Sequence, residues 1–292
     1  MRLVSFGPRH AERPGVMVGG QILDVAALSR RFVASWRALL ERGLLDEIRE
    51  LTRRPERLPV GVLLDAADRR LGAPIPDAGK VVCVGLNYVD HAAEQGRDLP
   101  ERPLLFSKAT SALAGARDDI VIPAGITHVD YEAELAVVIG RRGRDVPEDR
   151  ALDHVAGYMI LNDVTARKLQ KEEGQWFRGK SLDTFGPCGP ALVTADEIAD
   201  PHDLEVALDL NGEARQRSST RNLHHRIPFL ISYLSRTMTL DPGDVLSTGT
   251  PGGVGVFSNP KVFLNDGDEL VTRIAGLGEL RNRVRDQTGV RH

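Results

Sequence analysis

The sequence predicts an α+β protein built on mixed β-sheets. From residue 80 onward, short apolar segments of strand length alternate with turns that contain Gly and Pro, and few long helices separate them. Strands and helices do not alternate regularly, so a doubly wound parallel sheet is not expected. The chain of 292 residues is long enough for one large domain or two modest ones.

Residues 1–76 are predicted to form a small N-terminal α/β domain. Three short strands are expected within residues 1–27. Apolar residues then recur at helical spacing through residues 28–53, which favours one helix packed on this small sheet over a helix that binds a partner. The segment LGAPIPDAG, residues 71–79, is rich in Pro and Gly and is predicted to link this domain to a second one, residues 77–292.

The second domain is expected to be mostly strands. The predicted strands are 80–85, 133–140, 156–163, 189–194, 204–211, 244–248 and 268–275. The predicted helices are 88–95, 164–173 and 226–238.

Composition disfavours several classes of function. The net charge is −3 without a Lys/Arg block, so no nucleic-acid partner is expected. No apolar run approaches the ~18 residues of a membrane span, and the N-terminus lacks the apolar stretch of a signal peptide. Cys83 and Cys188 are too few for a disulfide framework or a zinc site, and Cys188 is expected only to fill space. We therefore expect a cytoplasmic protein.

The segment VDYEAELAVVIG, residues 129–140, combines a strand pattern with three acids. Asp130, Glu132 and Glu134 share one strand face, and both faces become apolar toward residue 139, which indicates a strand covered on both sides. Glu132 and Glu134 would then lie about 7 Å apart at the start of a buried strand. Buried like charges must become protonated, pair with a base or bind a cation, and the segment offers no local basic partner.

A fourth acid, Asp163, follows the apolar run VAGYMILN, residues 155–162. It could cap the helix predicted to start there, with help from Thr165. It could equally complete a site of three carboxylates with Glu132 and Glu134. Such hard oxygen ligands suit Mg²⁺, Mn²⁺ or Ca²⁺ better than zinc.

Several motifs in a fixed order resemble the fumarylacetoacetate hydrolase family, over about residues 80–285. The matching stretches are CVGLNYVDHAAE (83–94), DYEAELAVVIG (130–140), GYMILNDVTARKLQ (157–170), GQWFRGKSLDTFGPCGP (174–190), PGDVLSTGTPGGVG (242–255) and GDELVTRIAGLGELRNRV (267–284). The chain is most similar to the acylpyruvate and diketo-deoxy-sugar-acid hydrolase subgroup. This resemblance implies a stacked, mixed β-sheet roll, a small N-terminal domain and assembly as a homodimer.

The resemblance also implies a metal site and a set of catalytic residues. Glu132, Glu134 and Asp163 are expected to bind Mg²⁺ or Mn²⁺, with Ca²⁺ possible, and no organic cofactor is expected. The implied catalytic residues are His91, Glu94, Lys180 and Gln170. The implied substrate-binding residues are Asn87, Tyr88, Gly249 and Thr250.

His91 and Glu94 lie three residues apart in a predicted helix, so their side chains share a face. A carboxylate beside an imidazole orients it and raises its basicity, so the pair could take a proton from water. The alternative is an ordinary surface contact, as Lys180 could be an ordinary surface charge. Backbone amides of the loop STGTPGGVG, residues 247–255, are expected to hold a carboxylate with Thr250, although the loop could be merely a tight turn.

Other polar residues near the motifs receive no firm role. His128 and Asp130 are expected to be solvated at the strand edge. His224 and His225 could pack or contact substrate. Lys168 stands where the family often has Asp, and it could change the charge near the site or face solvent.

The expected function is metal-dependent hydrolysis of a C–C bond in a small 1,3-diketo acid, giving a 2-oxo acid and a carboxylic acid. A segment at residues 88–104, here called the lid segment, is expected to order over the substrate. Decarboxylation of oxaloacetate or a similar β-keto acid, and tautomerisation or isomerisation, are alternatives that use the same metal and enolate. A non-catalytic protein with a metal that only joins its sheets is a further alternative.

Overall fold

The computed structural model describes residues 1–67 and 69–287. The strands are β1 (Arg2–Phe6), β2 (Arg13–Val18), β3 (Gln21–Asp24), β4 (Leu63–Asp65), β5 (Val81–Gly85), β6 (Leu104–Lys108), β7 (Leu113–Ala114), β8 (Ile120–Ile122), β9 (Val129–Asp130), β10 (Ala133–Ile139), β11 (Val155–Asn162), β12 (Thr165–Ala166), β13 (Gly186–Thr194), β14 (Glu205–Leu210), β15 (Glu213–Ser219), β16 (Val245–Ser247), β17 (Glu269–Ile274) and β18 (Gly278–Asp286). The α-helices are α1 (Val25–Leu28), α2 (Trp36–Glu41), α3 (Leu45–Thr52), α4 (Val89–Glu94), α5 (Arg167–Glu172), α6 (Phe177–Lys180) and α7 (Ile227–Ser235).

Two mixed sheets make up most of the fold, as the sequence predicts for an α+β protein. The larger sheet has the order β4-β3-β2-β1-β13-β11-β10-β16-β5-β6, and β7 pairs with β13. The second sheet has the order β15-β14-β17-β18-β8. Both sheets are mainly antiparallel, with parallel pairs at β16–β5, β13–β7 and β18–β8. The strands β9 and β12 form a separate two-stranded ribbon.

Strand β10 lies near the middle of the larger sheet and is buried along its whole length. On one face, Leu135 and Val137 belong to the core that the two sheets share, together with Leu208 of β14. On the other face, Ala136 and Val138 belong to a second core built largely from the N-terminal segment. The prediction that this strand is covered on both sides is therefore confirmed.

The N-terminal strands continue the larger sheet. Strand β1 pairs antiparallel with β13, with Leu3 opposite Leu192. Leu3 and Trp36 are buried in the same core as Val138 of β10, and the Trp36 indole N–H donates to the Val4 carbonyl at 2.7 Å. The boundary at residue 76 stays a prediction, but the segment before it covers one face of the large sheet.

The predicted single helix over residues 28–53 is wrong. The chain forms two helices, α2 and α3, separated by a turn at Gly43. Gly43 has φ +65°, a left-handed conformation that ends helices and that glycine adopts at little cost. The apolar spacing misleads because both helices contribute to the same core, through Leu39 of α2 and Ile48 of α3.

The strand predicted at 133–140 is β10, and the strand pattern that precedes it, from residue 129, is interrupted at residues 131–132. The Glu132 N–H donates to the side-chain oxygen of Asn162 at 2.9 Å, and the Tyr131 N–H donates to the side chain of Asp130 at 2.9 Å. Hydrogen bonds to side chains thus replace the backbone hydrogen bonds of a continuous strand at the position where the acids occur.

The three predicted helices of the second domain are present with shorter bounds. The helix predicted at 88–95 is α4, and the one predicted at 226–238 is α7. The helix predicted at 164–173 begins only at Arg167, because residues 165–166 pair with β9 instead. In the described part of the chain, none of the helices has the length and apolar character needed to cross a bilayer.

We expect Leu3→Ala to destabilise the whole chain, because Leu3 is buried in a core shared with β10. The loss in free energy of unfolding should be about 2–5 kcal/mol. Circular dichroism and Trp36 fluorescence in a Trp176→Phe background should report one common transition at lower denaturant concentration.

Val60→Ala is the matched control, because Val60 is fully exposed in the same segment. It should change the free energy of unfolding by less than about 0.5 kcal/mol. Two separate transitions in Leu3→Ala, with only the Trp36 signal shifted, would contradict the shared core.

Candidate metal and substrate site

Glu132, Glu134 and Asp163 meet at the point where β10 begins and β11 ends. Each offers an oxygen, and these oxygens lie within 4.8 Å of one another. The antiparallel register places Ala133 opposite Asn162, and the Asp163 N–H donates to the Glu132 carbonyl at 2.8 Å. The pairing of two strands therefore brings together acids that are about 30 residues apart in the chain.

Asp163 does not cap the following helix. Its carboxylate oxygens contact Lys108 and Lys180, each at 2.7 Å. The residue before α5 is Ala166, and no side chain caps that helix. The capping interpretation of Asp163 is wrong because two buried lysines compete for its carboxylate.

Three basic side chains surround the acids. Lys180 donates to Glu132 and Asp163, both at 2.7 Å. Lys108 Nζ donates to Asp163 and also to the carbonyl of Lys180. Arg167 contacts Glu132 at 2.6 Å and Asp130 at 2.8 Å. These partners come from β6, α5 and α6, which is why residues 129–140 show none of them.

The charges shift the pKa values of the acids in opposite directions. Burial raises the pKa of Glu132, but the nearby Lys180 and Arg167 outweigh it and hold the pKa at about 2. Burial raises the pKa of Glu134 well above its ordinary value, and the charges of Asp163 and Glu132 raise it further. Glu132 is therefore well compensated in this structure, whereas Glu134 lacks a counter-charge of its own.

The residues fit a divalent cation. One oxygen of Glu134 accepts hydrogen bonds from the Gly249 N–H, at 3.1 Å, and from the Ser247 hydroxyl. Its other oxygen accepts none from the described residues, and Glu134 lines an open cavity. A cation shared with Glu132 and Asp163 would supply the charge that Glu134 lacks, and three carboxylates are the ligand type that Mg²⁺ and Mn²⁺ prefer.

The structure brings His91 and Glu94 together as the sequence predicts. The His91 Nδ1 lies 2.6 Å from one Glu94 oxygen, and the other Glu94 oxygen accepts the Gly253 N–H at 2.8 Å. The Gln95 side-chain amide lies 2.7 Å from His91 Nε2. If Nδ1–H donates to Glu94, Nε2 carries the lone pair that Gln95 meets. Gln95 was not singled out from the sequence, because it lies outside the quoted motifs.

One cavity of about 230 Å³ joins the dyad to the acids. This volume is smaller than the roughly 300–1,000 Å³ of most ligand pockets, which favours a small ligand. Its lining includes these residues predicted from sequence: His91, Glu132, Glu134, Gln170, Lys180 and Thr250. The lining also includes Trp176, together with Arg97, Arg167 and Lys171, which received no role from the sequence.

The loop at residues 249–250 is held firmly. The Thr250 hydroxyl donates to the Ala133 carbonyl at 3.0 Å and accepts from the Gln216 amide at 2.9 Å. Gly249 has φ +101°, and a Cβ there would lie 2.9 Å from the Val84 carbonyl, so only glycine fits. Thr250 reaches the cavity, but its hydroxyl is already engaged, so a role in binding a substrate carboxylate stays a prediction.

Asn87 and Tyr88 lie behind the cavity wall and are not among its lining residues. The Asn87 amide donates to the carbonyls of Thr248 at 2.8 Å and His225 at 3.0 Å, which fixes two loops against each other. Tyr88 is fully buried. Their contact with substrate stays a prediction, and Asn87 in this structure holds the two loops together.

Asp130 is buried rather than solvated, which corrects the expectation for this residue. It accepts hydrogen bonds from Arg167 and from the backbone N–H groups of Gly255 and Val256. His128 is exposed as expected and does not join the acids. His224 and His225 both place Nε2 near the Pro100 carbonyl, at 3.2 and 3.0 Å, and so secure the lid segment.

Comparison with known proteins shows the family of this chain. The model of the family described as Fumarylacetoacetate (FAA) hydrolase C-terminal matches residues 80–285. The chain belongs to the fumarylacetoacetate hydrolase family. The chain is therefore an enzyme. It shares the fold described above with the other members of that family.

Relatives match over nearly the whole chain. A protein of Burkholderia cenocepacia (strain HI2424) named as a hydrolase is 44% identical over 98% of this chain and 99% of its own. Maleylpyruvate hydrolase from Sphingobium sp. SYK-6, solved with manganese(II) and pyruvate, is 32% identical with a TM-score of 0.79, covering 98% and 99% of the two chains. The 5-carboxymethyl-2-hydroxymuconate delta-isomerase from Mycobacterium smegmatis is 36% identical with a TM-score of 0.77, covering 99% and 100%.

We expect Lys108→Met to lower the free energy of unfolding by roughly 3 kcal/mol, because it leaves a buried carboxylate short of a partner. Lys108 is fully buried against Asp163 and the Lys180 carbonyl. Urea unfolding of the protein in chelator measures the change. Lys168→Met, an exposed lysine on α5, should leave stability within about 0.5 kcal/mol of the parent, and equal effects of the two variants would contradict the role of Lys108.

Glu134→Gln should raise the stability of the metal-free protein near pH 7–8. A group whose pKa is raised on folding contributes stability at low pH and loses it as the pH rises. For Glu134 that loss begins above its unfolded pKa of about 4.3, and glutamine does not suffer it. Urea unfolding in chelator from pH 4 to 8 measures the difference, and Mn²⁺ should raise the Tm of the parent more than that of the variant.

Glu132→Gln serves as the control of opposite sign. A pKa lowered to about 2 contributes stability that is lost only as the pH falls below the ordinary value of glutamate. This variant should therefore be less stable than the parent at pH 7, with the difference shrinking toward pH 2. A metal-free Glu134→Gln protein that is less stable than the parent at pH 8 would overturn the charge argument.

Proposed function

We propose that this enzyme is a divalent-metal-dependent hydrolase that cleaves a C–C bond in a small 1,3-diketo acid. The single observation that supports this is one cavity lined by the carboxylates Glu132 and Glu134 and by His91, whose imidazole is paired with Glu94. Water adds to the carbonyl carbon distal to the acid end, and the bond to the central carbon breaks. The electron pair leaves with the 2-oxo acid as its enolate, which takes up a proton, and the other product is a carboxylic acid.

The metal is Mg²⁺ or Mn²⁺ in this proposal, held by Glu132, Glu134 and Asp163. When bound, the cation supplies Lewis acidity that stabilises negative charge on the oxygens of an α-keto acid. The maleylpyruvate hydrolase solved with manganese(II) and pyruvate supports this choice of ion and ligand type.

His91 is the proposed general base. Its Nδ1 is held by Glu94, and Glu94 is in turn fixed by the Gly253 N–H, so the imidazole ring cannot turn freely. This leaves Nε2 to take a proton from water, with the positive charge stabilised by Glu94. Gln95 contacts Nε2 in this structure, so its amide must yield that position to the attacking water.

Lys180 and Gln170 are proposed to stabilise negative charge as it develops on the substrate. Burial lowers the pKa of Lys180, but Asp163 and Glu132 outweigh it and raise the pKa, so the amine stays charged. Gln170 lies in the cavity lining, with its side-chain oxygen 3.2 Å from Arg167. Gly249 and Thr250 are proposed to fix the cavity wall near the substrate.

Isomerisation without hydrolysis is the second candidate, because one similar structure is named as an isomerase. Decarboxylation of a β-keto acid would use the same metal and enolate. Decarboxylation needs no general base, so the oriented His91 and Glu94 favour hydrolysis over it. Isomerisation also uses a base, so its products, and not the dyad, distinguish it from hydrolysis. A metal with a purely structural role would not explain why His91 and Glu94 are paired beside the acids. It would also not explain why the chain belongs to a family of enzymes. The homodimer also stays a prediction.

A substrate panel distinguishes these reactions. The enzyme with Mg²⁺ or Mn²⁺ is incubated with an acylpyruvate, fumarylpyruvate, a diketo-deoxy sugar acid and oxaloacetate. We expect a 2-oxo acid and its partner acid in equal amounts from at least one diketo acid, and none in the presence of chelator. Release of CO₂ from oxaloacetate without hydrolysis of any diketo acid would overturn the proposal, as would isomerisation alone.

His91→Ala should lower kcat for hydrolysis by roughly 10²–10⁴-fold, the usual contribution of a general base. Product formation and the Mn²⁺-induced rise in Tm are measured side by side, and the rise in Tm should persist. His128→Ala is the control, because His128 is exposed and outside the cavity. Full activity in His91→Ala would exclude the proposed base.

A further inference from the structure

Two basic side chains at the rim of the cavity are not used by the proposed chemistry. Arg97 and Lys171 both line the cavity, and both are exposed. Among the residues that the structure describes, neither side chain forms an ion pair or a hydrogen bond with an acid. The cavity thus has cations at its open end that no protein group neutralises.

The buried end of the cavity is different. Lys180 is matched by Glu132 and Asp163, and Arg167 is matched by Glu132 and Asp130. The cations there are therefore held by the protein's own acids. Among the described residues that line the cavity, only the cations at the rim have no ion pair with an acid of the protein.

The wall between the two ends is largely apolar. Phe106 and Trp176 pack edge to face with ring centroids 5.3 Å apart, and Leu104 and Phe257 also line the cavity. A ligand that fits this cavity has a polar head at the buried end, a short hydrocarbon segment and a polar group at the rim.

Arg97 is positioned by the end of helix α4. Gly96 has φ +60°, and the Arg97 N–H donates to the Ala92 carbonyl at 3.1 Å, which is a common way for a helix to end on glycine. Lys171 lies on α5. The two cations therefore come from separate elements, one of them in the lid segment.

We propose that Arg97 and Lys171 bind a second carboxylate, at the end of the substrate remote from its 2-oxo acid group. The preferred substrates are then 1,3-diketo acids with two carboxylates. A guanidinium presents paired donors that match a carboxylate, and a lysine adds a second charge. This inference rests on the proposed function for its reaction, but the rim site can be tested by binding alone.

Binding is measured by calorimetry with Mn²⁺ present, using 2-oxoadipate and 2-oxohexanoate. These acids have the same chain length and the same 2-oxo acid head, and they differ in the remote carboxylate. We expect 2-oxoadipate to bind the parent enzyme at least roughly ten-fold more tightly. Raising the salt concentration should weaken this preference, because the rim is exposed.

Arg97→Gln and Lys171→Gln should each reduce the preference for 2-oxoadipate several-fold, and the double variant should abolish it. Binding of 2-oxohexanoate should stay unchanged in all three. The matched controls are Arg102→Gln, in the same lid segment, and Lys168→Gln, on the same helix, since neither residue lines the cavity. Both controls should keep the parent preference.

Equal binding of the two acids by the parent enzyme, or a preference that survives in the double variant, would overturn the rim site. A clear preference in an enzyme that hydrolyses no diketo acid would leave the rim site standing and reject the proposed reaction. If hydrolysis occurs, the variants should raise KM for a dicarboxylic acylpyruvate and leave kcat/KM for acetylpyruvate unchanged. The failure of either proposal is thus visible separately.

Discussion

Three carboxylates crowded into the protein interior impose the main constraint on this structure. Glu132, Glu134 and Asp163 present oxygens within 4.8 Å of one another, all of them buried. Charges in such a place are costly unless opposite charges or hydrogen bonds compensate them. Lys108 and Lys180 supply part of that compensation, and the remainder defines a place for a cation. The elements that carry these lysines must therefore keep a fixed position relative to the two strands that carry the acids.

The fold supports this constraint by enclosing the central strands. Strand β10 is covered by the second sheet on one face and by the N-terminal segment on the other. Water is thereby excluded behind the acids, which strengthens every charge interaction at the site. Rigid strands on both sides also hold the ligand oxygens closely in place, as a preorganised site requires. The N-terminal segment contributes to the chemistry in this indirect way, although none of its described residues lines the cavity.

Charge in the cavity is arranged in layers. At the buried end, acids and bases are paired with each other, and Glu134 alone lacks its own counter-charge. Apolar side chains such as Phe106 and Trp176 form the middle. At the rim, Arg97 and Lys171 remain available to a ligand. In the proposed function, such an order favours an elongated acid whose 2-oxo acid head lies toward the cation site and whose remote carboxylate lies at the rim.

The sequence by itself determined the α+β class, the buried strand that carries the acids, the metal-ligand candidates and the His91–Glu94 pair. Local spacing accounts for the strand and for the shared faces of Glu132 with Glu134 and of His91 with Glu94, because strand alternation and helix periodicity place nearby residues on a common face. The choice of Asp163 as third ligand and the catalytic role of His91 and Glu94 came from the resemblance to the family. Only the tertiary structure decided that Asp163 meets two lysines instead of capping a helix, that Asp130 holds Arg167, and that Asn87 braces loops behind the wall. It also decided that residues 28–53 form two helices. The physical reason is that compensation of buried charge, and the turn at Gly43, depend on partners far away in the chain, which local patterns do not encode.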